Sequence, residues 1–565
     1  MERKLWNRAK VSDAASPVQG RRVGWWTLFR KWFTDLASPG ERSGDTGPSR
    51  VYPQIADIAL EVTLPISFVV IRFSDEYRHN FLVSPSAQDP INEVIEVDNS
   101  SNLYFDNLSQ AIAAGLNRAN NDIIAVIHED VLLPQGWQAQ FQQTLSELEE
   151  HDPSWGMLGS VGWDAEGRFV GHWSDPHQFK NTFADSERNF QEVVKLDEQL
   201  LIFHRQRAPA LDTHLPGIHF LGEDLKHELA GAGLRTYAIN APTIHKFADK
   251  HGDRIVSSIQ SDKISDRESA TYLADEACCK DYVSWKYPAL FPAATPVPVP
   301  AALNDHQRLQ LQRPVIILCK GELECALVSE LVRDCGVVVP EEPAAPGQPP
   351  ALMIAIYKMI IEKFRCHAPW QAAYTQERLL SIAAPLLGNL QPGQHWALAF
   401  PESNLILPEL SRVFPDARYL CVHRDPLDIC LGASDKSARL DNHIGRIALP
   451  EAYSHLGLER AQILQDDELD HRVYTTIHQL GLLTRHLAAP QRSDPLFLAY
   501  TELQVSPVSA RAQLSGWLGE APPGPAFPSA RRVDSQNENT GRYSAARIAA
   551  AAEQLQGVRA ALGYI

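Results

Sequence analysis

Between residues 55 and 250, short apolar runs of strand length alternate with segments of helical periodicity. This alternation constrains the fold more than any other feature. ISFVVIRF (66–73) and NEVIEVD (92–98) read as buried strands, FDNLSQAIAAGLNRA (105–119) as a helix, and DIIAVIHED (122–130) as a further strand. Such a β–α–β rhythm predicts an α/β fold with a mostly parallel sheet, whose ligands gather at the carboxyl ends of the strands. The rhythm resumes after Gln312 with PVIILCKG and ARYLCVHRDP. Between the two stretches, residues 256–286 read as a polar helix. YPALFPAATPVPVPAAL then carries too many prolines for helix or central strand and reads as a stiff linker. The expected units are therefore a flexible 1–54, a first domain over 55–255, a helical segment and linker over 256–311, and a second domain over 312–565.

The 565 residues are 44% hydrophobic and 21% charged, which excludes disorder of the whole chain. Lysine plus arginine (52) against aspartate plus glutamate (69) leaves a net charge of −17, a poor basis for holding nucleic acid by phosphate neutralisation. No run of about 18 apolar residues exists to span a membrane. The eight cysteines form no C-x-x-C pair, and most sit in apolar runs as expected buried thiols. MERKLWNRAKVSD lacks the apolar stretch of a secretory signal, so the cytoplasm is the expected compartment. Near the start, Trp25, Leu28, Phe29, Trp32 and Leu36 share one helical face beside Arg21, Arg22, Arg30 and Lys31. A helix over 21–36 of this kind either touches a membrane surface at its inner face or docks on protein.

His128-Glu129-Asp130 closes an apolar strand. A strand that stops at acidic residues carries them to the ligand-binding edge, where a carboxylate can hold Mg²⁺ or Mn²⁺ against a diphosphate. A solvated acidic turn is the plain alternative. Asp98-Asn99 and Arg72-Phe73-Ser74-Asp75 end the two earlier strands, Leu196-Asp197-Glu198 marks another strand start, Glu223-Asp224 opens a helix, and His245 follows Ala241-Pro-Thr-Ile.

Residues about 60–250 resemble family 2-like glycosyltransferases of the GT-A fold, a Rossmann-like arrangement, especially the branch related to streptomycin-cluster enzymes. The phrases that carry the resemblance are EVIEVDNSS, IIAVIHEDVLLPQGW, GMLGSVGW, VKLDEQLLIFHR, FLGEDLKHELAGAGLRTYAINAP and IHKF. The resemblance implies a nucleotide-sugar donor bound with a divalent cation, Mn²⁺ or Mg²⁺. His128-Glu129-Asp130 stands at the family's Asp-x-Asp position, with His128 replacing the first aspartate. Asp130 and His245 are then the expected metal ligands, and Arg72, Asp98, Asn99, His128 and Glu129 the expected donor contacts. Asp224 or Glu223 falls where a carboxylate deprotonates the acceptor hydroxyl in an inverting transfer, with Asp224 placed ahead. Acidic residues in a first helical turn also favour the macrodipole without any catalytic role. Trp163, His172, Trp173 and His177 lie where such folds build acceptor sites.

LPELSRVFPDARYLCVHRDPLDICLG (407–432), with HWALAFPESNLIL before it and LAYTELQVSPVSARAQLSGWLG after it, resembles sulfotransferases. The likeness covers about 312–565 and implies a P-loop-type α/β fold. The anion-binding loop of that family is Gly-, Ser- and Thr-rich with a basic residue. Here Leu318–Ala326 carries Glu322 and Glu324 and lacks hydroxyls; Ala399 and Gly432 replace an expected lysine and serine. Lys320 and Arg424 remain. The expectation is a metal-dependent glycosyltransferase in glycan or polysaccharide assembly, joined to a degenerate sulfotransferase-like module. Its acceptor would be a glycan, a lipid-linked species or a protein. The alternatives are a bifunctional glycosyl- and sulfotransferase, or a non-catalytic scaffold.

Overall fold

The computed structural model describes residues 61–100, 103–174, 179–184, 186–246, 248, 266–288, 311–340, 350–366, 372–387, 390–391, 393–432, 435–440, 442–488, 494–519 and 540–565. The basic aromatic helix expected over 21–36, His177 and most of the proline-rich stretch lie outside the described residues.

The fold is α/β. In the first half the strands are β1 (Ile66–Arg72), β2 (Glu93–Asp98), β3 (Ile123–His128), β4 (Val131–Leu132), β5 (Trp155–Gly159), β6 (Val161–Trp163), β7 (Phe169–Ser174), β8 (Phe179–Asn181), β9 (Phe190–Glu192), β10 (Lys195–Leu196), β11 (Leu200–His204), β12 (Arg235–Ile239) and β13 (Ile244–His245). A seven-stranded sheet has the order β2-β1-β3-β11-β5-β12-β9. Its leading strands pair in parallel, β1 with β2 and with β3, as the sequence rhythm predicts. It is more mixed than expected, because β11 runs antiparallel to both β3 and β5 and β9 runs antiparallel to β12.

Alternate residues of the central strands feed two cores. Val69, Ile71, Ile124 and Val126 pack under α1 (Leu108–Leu116), which buries Ala111 and Ile112. Phe68, Val70, Ala125 and Ile127 pack against Trp137, Phe141, Leu145 and Leu148 of α2 (Trp137–His151). Strands buried on both faces account for the near-continuous apolar runs.

The second half contains a four-stranded sheet of β14 (Val315–Leu318), β15 (Ala397–Ala399), β16 (Arg418–His423) and β17 (Leu496–Ala499). Its order is β15-β14-β16-β17 and every pairing is parallel. The cysteines are free thiols, buried except for the half-buried Cys366, as their apolar context predicts.

The helix between the halves is α4 in chain order, counting α3 as Leu221–Gly231; it spans Asp266–Lys286. Ala270, Ala274 and Cys278 of α4 belong to the core of the second half, and Cys279, Tyr282 and Val283 to that of the first. A segment that reads as polar thus carries a narrow apolar seam on each side. Among the described residues no helix is long and apolar enough to cross a membrane.

Candidate functional site

Strand β3 delivers His128 to the edge of the sheet, and the chain turns at once into β4. Strand β4 pairs antiparallel with β13, His245 opposite Val131, and the Lys246 amide donates to the Asp130 carbonyl at 2.8 Å. This two-residue ladder brings together side chains from distant parts of the chain. His245 Nε2 lies 3.2 Å from Asp130 Oδ2, and His128 Nδ1 lies 4.0 Å from Asp130 Oδ1. One ligand atom from each of the three residues falls within 4.8 Å of the others. Burial opposes ionisation of Asp130, but His245 and His128 outweigh it and hold the carboxyl well below the usual carboxylate range. Burial also disfavours charge on His245, yet Asp130 pulls that imidazole upward. Desolvation keeps His128 below its ordinary value. The Trp173 and His245 rings stand edge-to-face, with centroids 6.4 Å apart and planes at 73°.

One carboxylate with two imidazoles is a donor set for a divalent cation such as Mn²⁺, and it leaves coordination positions for ligand oxygens. His128, expected among the donor contacts, therefore sits in the metal-type cluster with Asp130 and His245.

The other expected donor contacts divide. Arg72 and Asp98 stand together at the ends of β1 and β2, with Nη2 2.6 Å from Oδ2 and Asp98 44% exposed. Burial raises Asp98, but Ser100 and Arg72 outweigh it and hold the carboxyl below its ordinary value. Asn99 and Glu129 are engaged in shaping loops. Asn99 Oδ1 accepts from the Tyr104 and Phe105 amides, each at 3.0 Å. Glu129 accepts from the amides of Phe73 and Ser74 at 2.8 and 2.9 Å and from the Ser74 hydroxyl at 2.8 Å. Burial pushes the Glu129 carboxyl up to about 7 despite these bonds.

Glu223 and Asp224 open α3 and part company there. Asp224 is fully buried. Its Oδ1 accepts from Lys286 Nζ at 2.6 Å and from the Tyr287 hydroxyl at 2.8 Å, both at the end of α4. Glu223 instead lines a cavity of about 60 Å³ with Lys195, Leu196, Asp197, Glu198, His219, Phe220 and Glu276. Lys195 Nζ stands 2.7 Å from Glu223 Oε1. Burial and the neighbouring Glu223 push Glu198 up to about 8, while its Oε1 accepts from the Gly222 amide at 2.9 Å. A side chain at position 222 would meet the Leu196 carbonyl, its Cβ at 2.8 Å, so glycine lets the helix start approach β10. Phe220, just before the helix, has φ of 64°, a left-handed conformation that costs a bulky residue energy and tends to accompany functional sites. Asp197 lines the cavity, and its charge makes a minor upward contribution to the His128 and His245 imidazoles. Each of the two carboxylates thus has a lysine partner, Lys286 for Asp224 and Lys195 for Glu223, and of the two it is Glu223 that lines the cavity.

Sequence reasoning missed Lys195, His219, Glu276 and Lys286. Glu198 stood in the recognised LDE phrase, but Glu276 and Lys286 come from a helix with no motif to mark it. Of the aromatic stretch, His172 is buried in contact with Phe179, with ring centroids 5.2 Å apart.

In the second half, β14 connects to β15 on one side and β16 to β17 on the other. The crevice between the carboxyl ends of β14 and β16 is therefore the switch point where open α/β sheets bind ligands. Here the chain's own carboxylates fill it. Lys320 Nζ contacts Asp435 Oδ2 at 2.5 Å and the Ser437 hydroxyl at 2.7 Å, with Lys320 only 4% exposed. Arg424 Nη1 lies 3.2 Å from Glu324 Oε1, and Glu324 folds back over Gly321 at the start of α5 (Glu322–Asp334), leaving no room for a Cβ there. Asp425 is clasped by Arg559 at 2.9 and 2.8 Å.

No family model matches the chain, and no curated protein matches it. Solved structures are similar at low identity. The sulfotransferase STF9 from Mycobacterium avium is 12% identical with a TM-score of 0.29, covering 54% of this chain and 88% of its own. The sulfotransferase STF1 from Mycobacterium tuberculosis H37Rv is 14% identical with a TM-score of 0.28, covering 51% and 84%. The mannosyltransferase PcManGT from Pyrobaculum calidifontis, in complex with GDP-Man and Mn²⁺, is 15% identical with a TM-score of 0.25, covering 65% and 94%. At such scores these superpositions carry no argument, and the reading of the site rests on its own geometry.

Proposed function

We propose that the chain is a metal-dependent glycosyltransferase that moves a sugar from a nucleotide-sugar donor to a hydroxyl acceptor, with one unit over 55–255 and a non-catalytic, sulfotransferase-like unit over 312–565. The observation that carries this reading is the His128, Asp130 and His245 cluster at the carboxyl edge of β3. A divalent cation held by these three residues would neutralise charge on the leaving diphosphate. Arg72, half-buried, and Asp98, exposed, stand at the neighbouring strand ends and offer hydrogen bonds to the nucleoside.

Glu223 is the proposed base. It takes the proton of the acceptor hydroxyl as that oxygen attacks the anomeric carbon, and the bond from that carbon to the diphosphate oxygen breaks. Lys195 orients Glu223 and compensates its charge. Asp224 serves the architecture, tying α3 to α4 through Lys286. In the second half, Lys320 and Arg424 are already paired with Asp435 and Glu324, which supports a non-catalytic role for that unit.

Calorimetric titration with a nucleotide-sugar panel, with and without Mn²⁺, tests the proposal. Metal-dependent binding of a sugar nucleotide, lost in Asp130→Asn, is the expected result. Binding of adenosine 3′,5′-bisphosphate without any sugar nucleotide would overturn it.

A further inference from the structure

We infer that the second half of the chain holds the loop after β2 in shape for nucleotide binding, so that Leu103 and Asp106 are positioning residues; this rests on the proposed donor site at Arg72 and Asp98. Of this loop, residues 99–100 and 103–107 are described, between Asp98 at the end of β2 and the start of α1. Its near end is tied to the donor edge, because the Asn99 amide donates to the Arg72 carbonyl at 2.9 Å. Asn99 Oδ1 in turn receives the Tyr104 and Phe105 amides. Its far side is held by the second half. Leu103 is fully buried in a cluster with Leu449 and Tyr453 of α7 (His443–His455) and with Ile463, where α6 is Ala351–Arg365. Asp106 Oδ1 accepts from Arg365 Nη1 of α6 at 2.5 Å and from Arg460 Nη1 at 3.0 Å. Arg365 is itself fixed by the Arg446 carbonyl at 3.1 Å.

The physical consequence concerns entropy. Ordering a loop residue costs conformational entropy, and a ligand that must order its own site binds more weakly for it. An apolar anchor at Leu103 and a two-arginine clasp at Asp106 hold the loop before any nucleotide arrives. They give a unit with a self-filled switch-point crevice a part in the chemistry of the other unit.

The test uses the full-length chain carrying Asp106→Asn and, separately, Arg460→Gln on the opposite side of the contact. Amide hydrogen exchange at Tyr104 and Phe105 is read beside calorimetric binding of Mn²⁺ alone and of ADP, CDP, GDP, UDP and dTDP with Mn²⁺. Faster exchange at those amides is expected, with diphosphate affinity at least about fivefold lower and Mn²⁺ binding unchanged. Unchanged exchange in both variants would overturn the inference. So would faster exchange with unchanged diphosphate affinity, since the loop would then be structural only. If the unmodified chain binds none of these diphosphates, the glycosyl-transfer reading falls and with it the positioning role. The exchange result still decides whether the second half holds the loop.

Discussion

Lys286 Nζ reaches Asp224 Oδ1 at 2.6 Å, joining the end of α4 to the first turn of α3 and removing Asp224 from the cavity that its neighbour Glu223 lines. Lys286 also contacts Asp212 at 2.9 Å and Glu228 at 3.3 Å, so one ammonium organises three carboxylates. Adjacent acidic residues thereby face different surroundings, Asp224 the end of α4 and Glu223 the cavity.

Glu223→Gln should lower turnover by about 10²–10⁴ while binding of Mn²⁺ and nucleotide persists. Asp224→Asn should chiefly cost stability, about 1–3 kcal/mol, read as a lower urea midpoint. Turnover lost in Asp224→Asn at an unchanged midpoint would return the base assignment to Asp224.

Mn²⁺ should raise the melting temperature. Metal at 100 times its Kd stabilises by about 2.7 kcal/mol. Asp130→Asn should abolish that rise, and His245→Ala should diminish it. A rise that survives in Asp130→Asn would place the metal elsewhere.

Acid should weaken the link between Asp152 and β12. Burial alone would raise the Asp152 carboxyl, but Arg235 and Tyr237 outweigh it and hold it at about 2 against an ordinary 3.8. Arg235 contacts it at 2.8 and 2.6 Å and the Tyr237 hydroxyl at 2.6 Å. A depressed folded value means the contribution is present above 3.8 and is lost as pH falls through about 2. Because Arg235 is half exposed, the contribution is roughly 1–2 kcal/mol. Asp152→Asn should lower stability at neutral pH and flatten its dependence in this acid window, as urea titrations at several pH values would show. An unchanged slope would remove Asp152 from the acid response.

Asp435→Ala should destabilise the second half by roughly 3–5 kcal/mol, because Lys320 is left charged and buried. Lys320→Met combined with Asp435→Leu should lose less, since both charges go together. Adenosine 3′,5′-bisphosphate should not bind the unmodified chain in calorimetry; millimolar or tighter binding would show that the crevice opens to nucleotides.

Residues 66–73, 92–98 and 122–130 announce their strands through apolar runs that end in charge, and the structure places β1, β2 and β3 within those bounds. Period and composition are local properties, so the α/β class and the meeting of acidic groups at strand ends were legible in the residues alone. The antiparallel β11 was not, because a short apolar run such as Leu200–His204 does not state its direction.

The sequence by itself determined the two β–α stretches, the acidic strand ends and the buried thiols, all of which follow from residue types read in order. Only the tertiary structure decided that His245 meets Asp130, that Glu223 rather than Asp224 faces the cavity, and that Asp106 is clasped by Arg365 and Arg460. These are contacts between segments far apart in the chain. Their partners are chosen by how helices and sheets pack, and a charge pair formed across such a distance leaves no periodic or spacing signal in either segment.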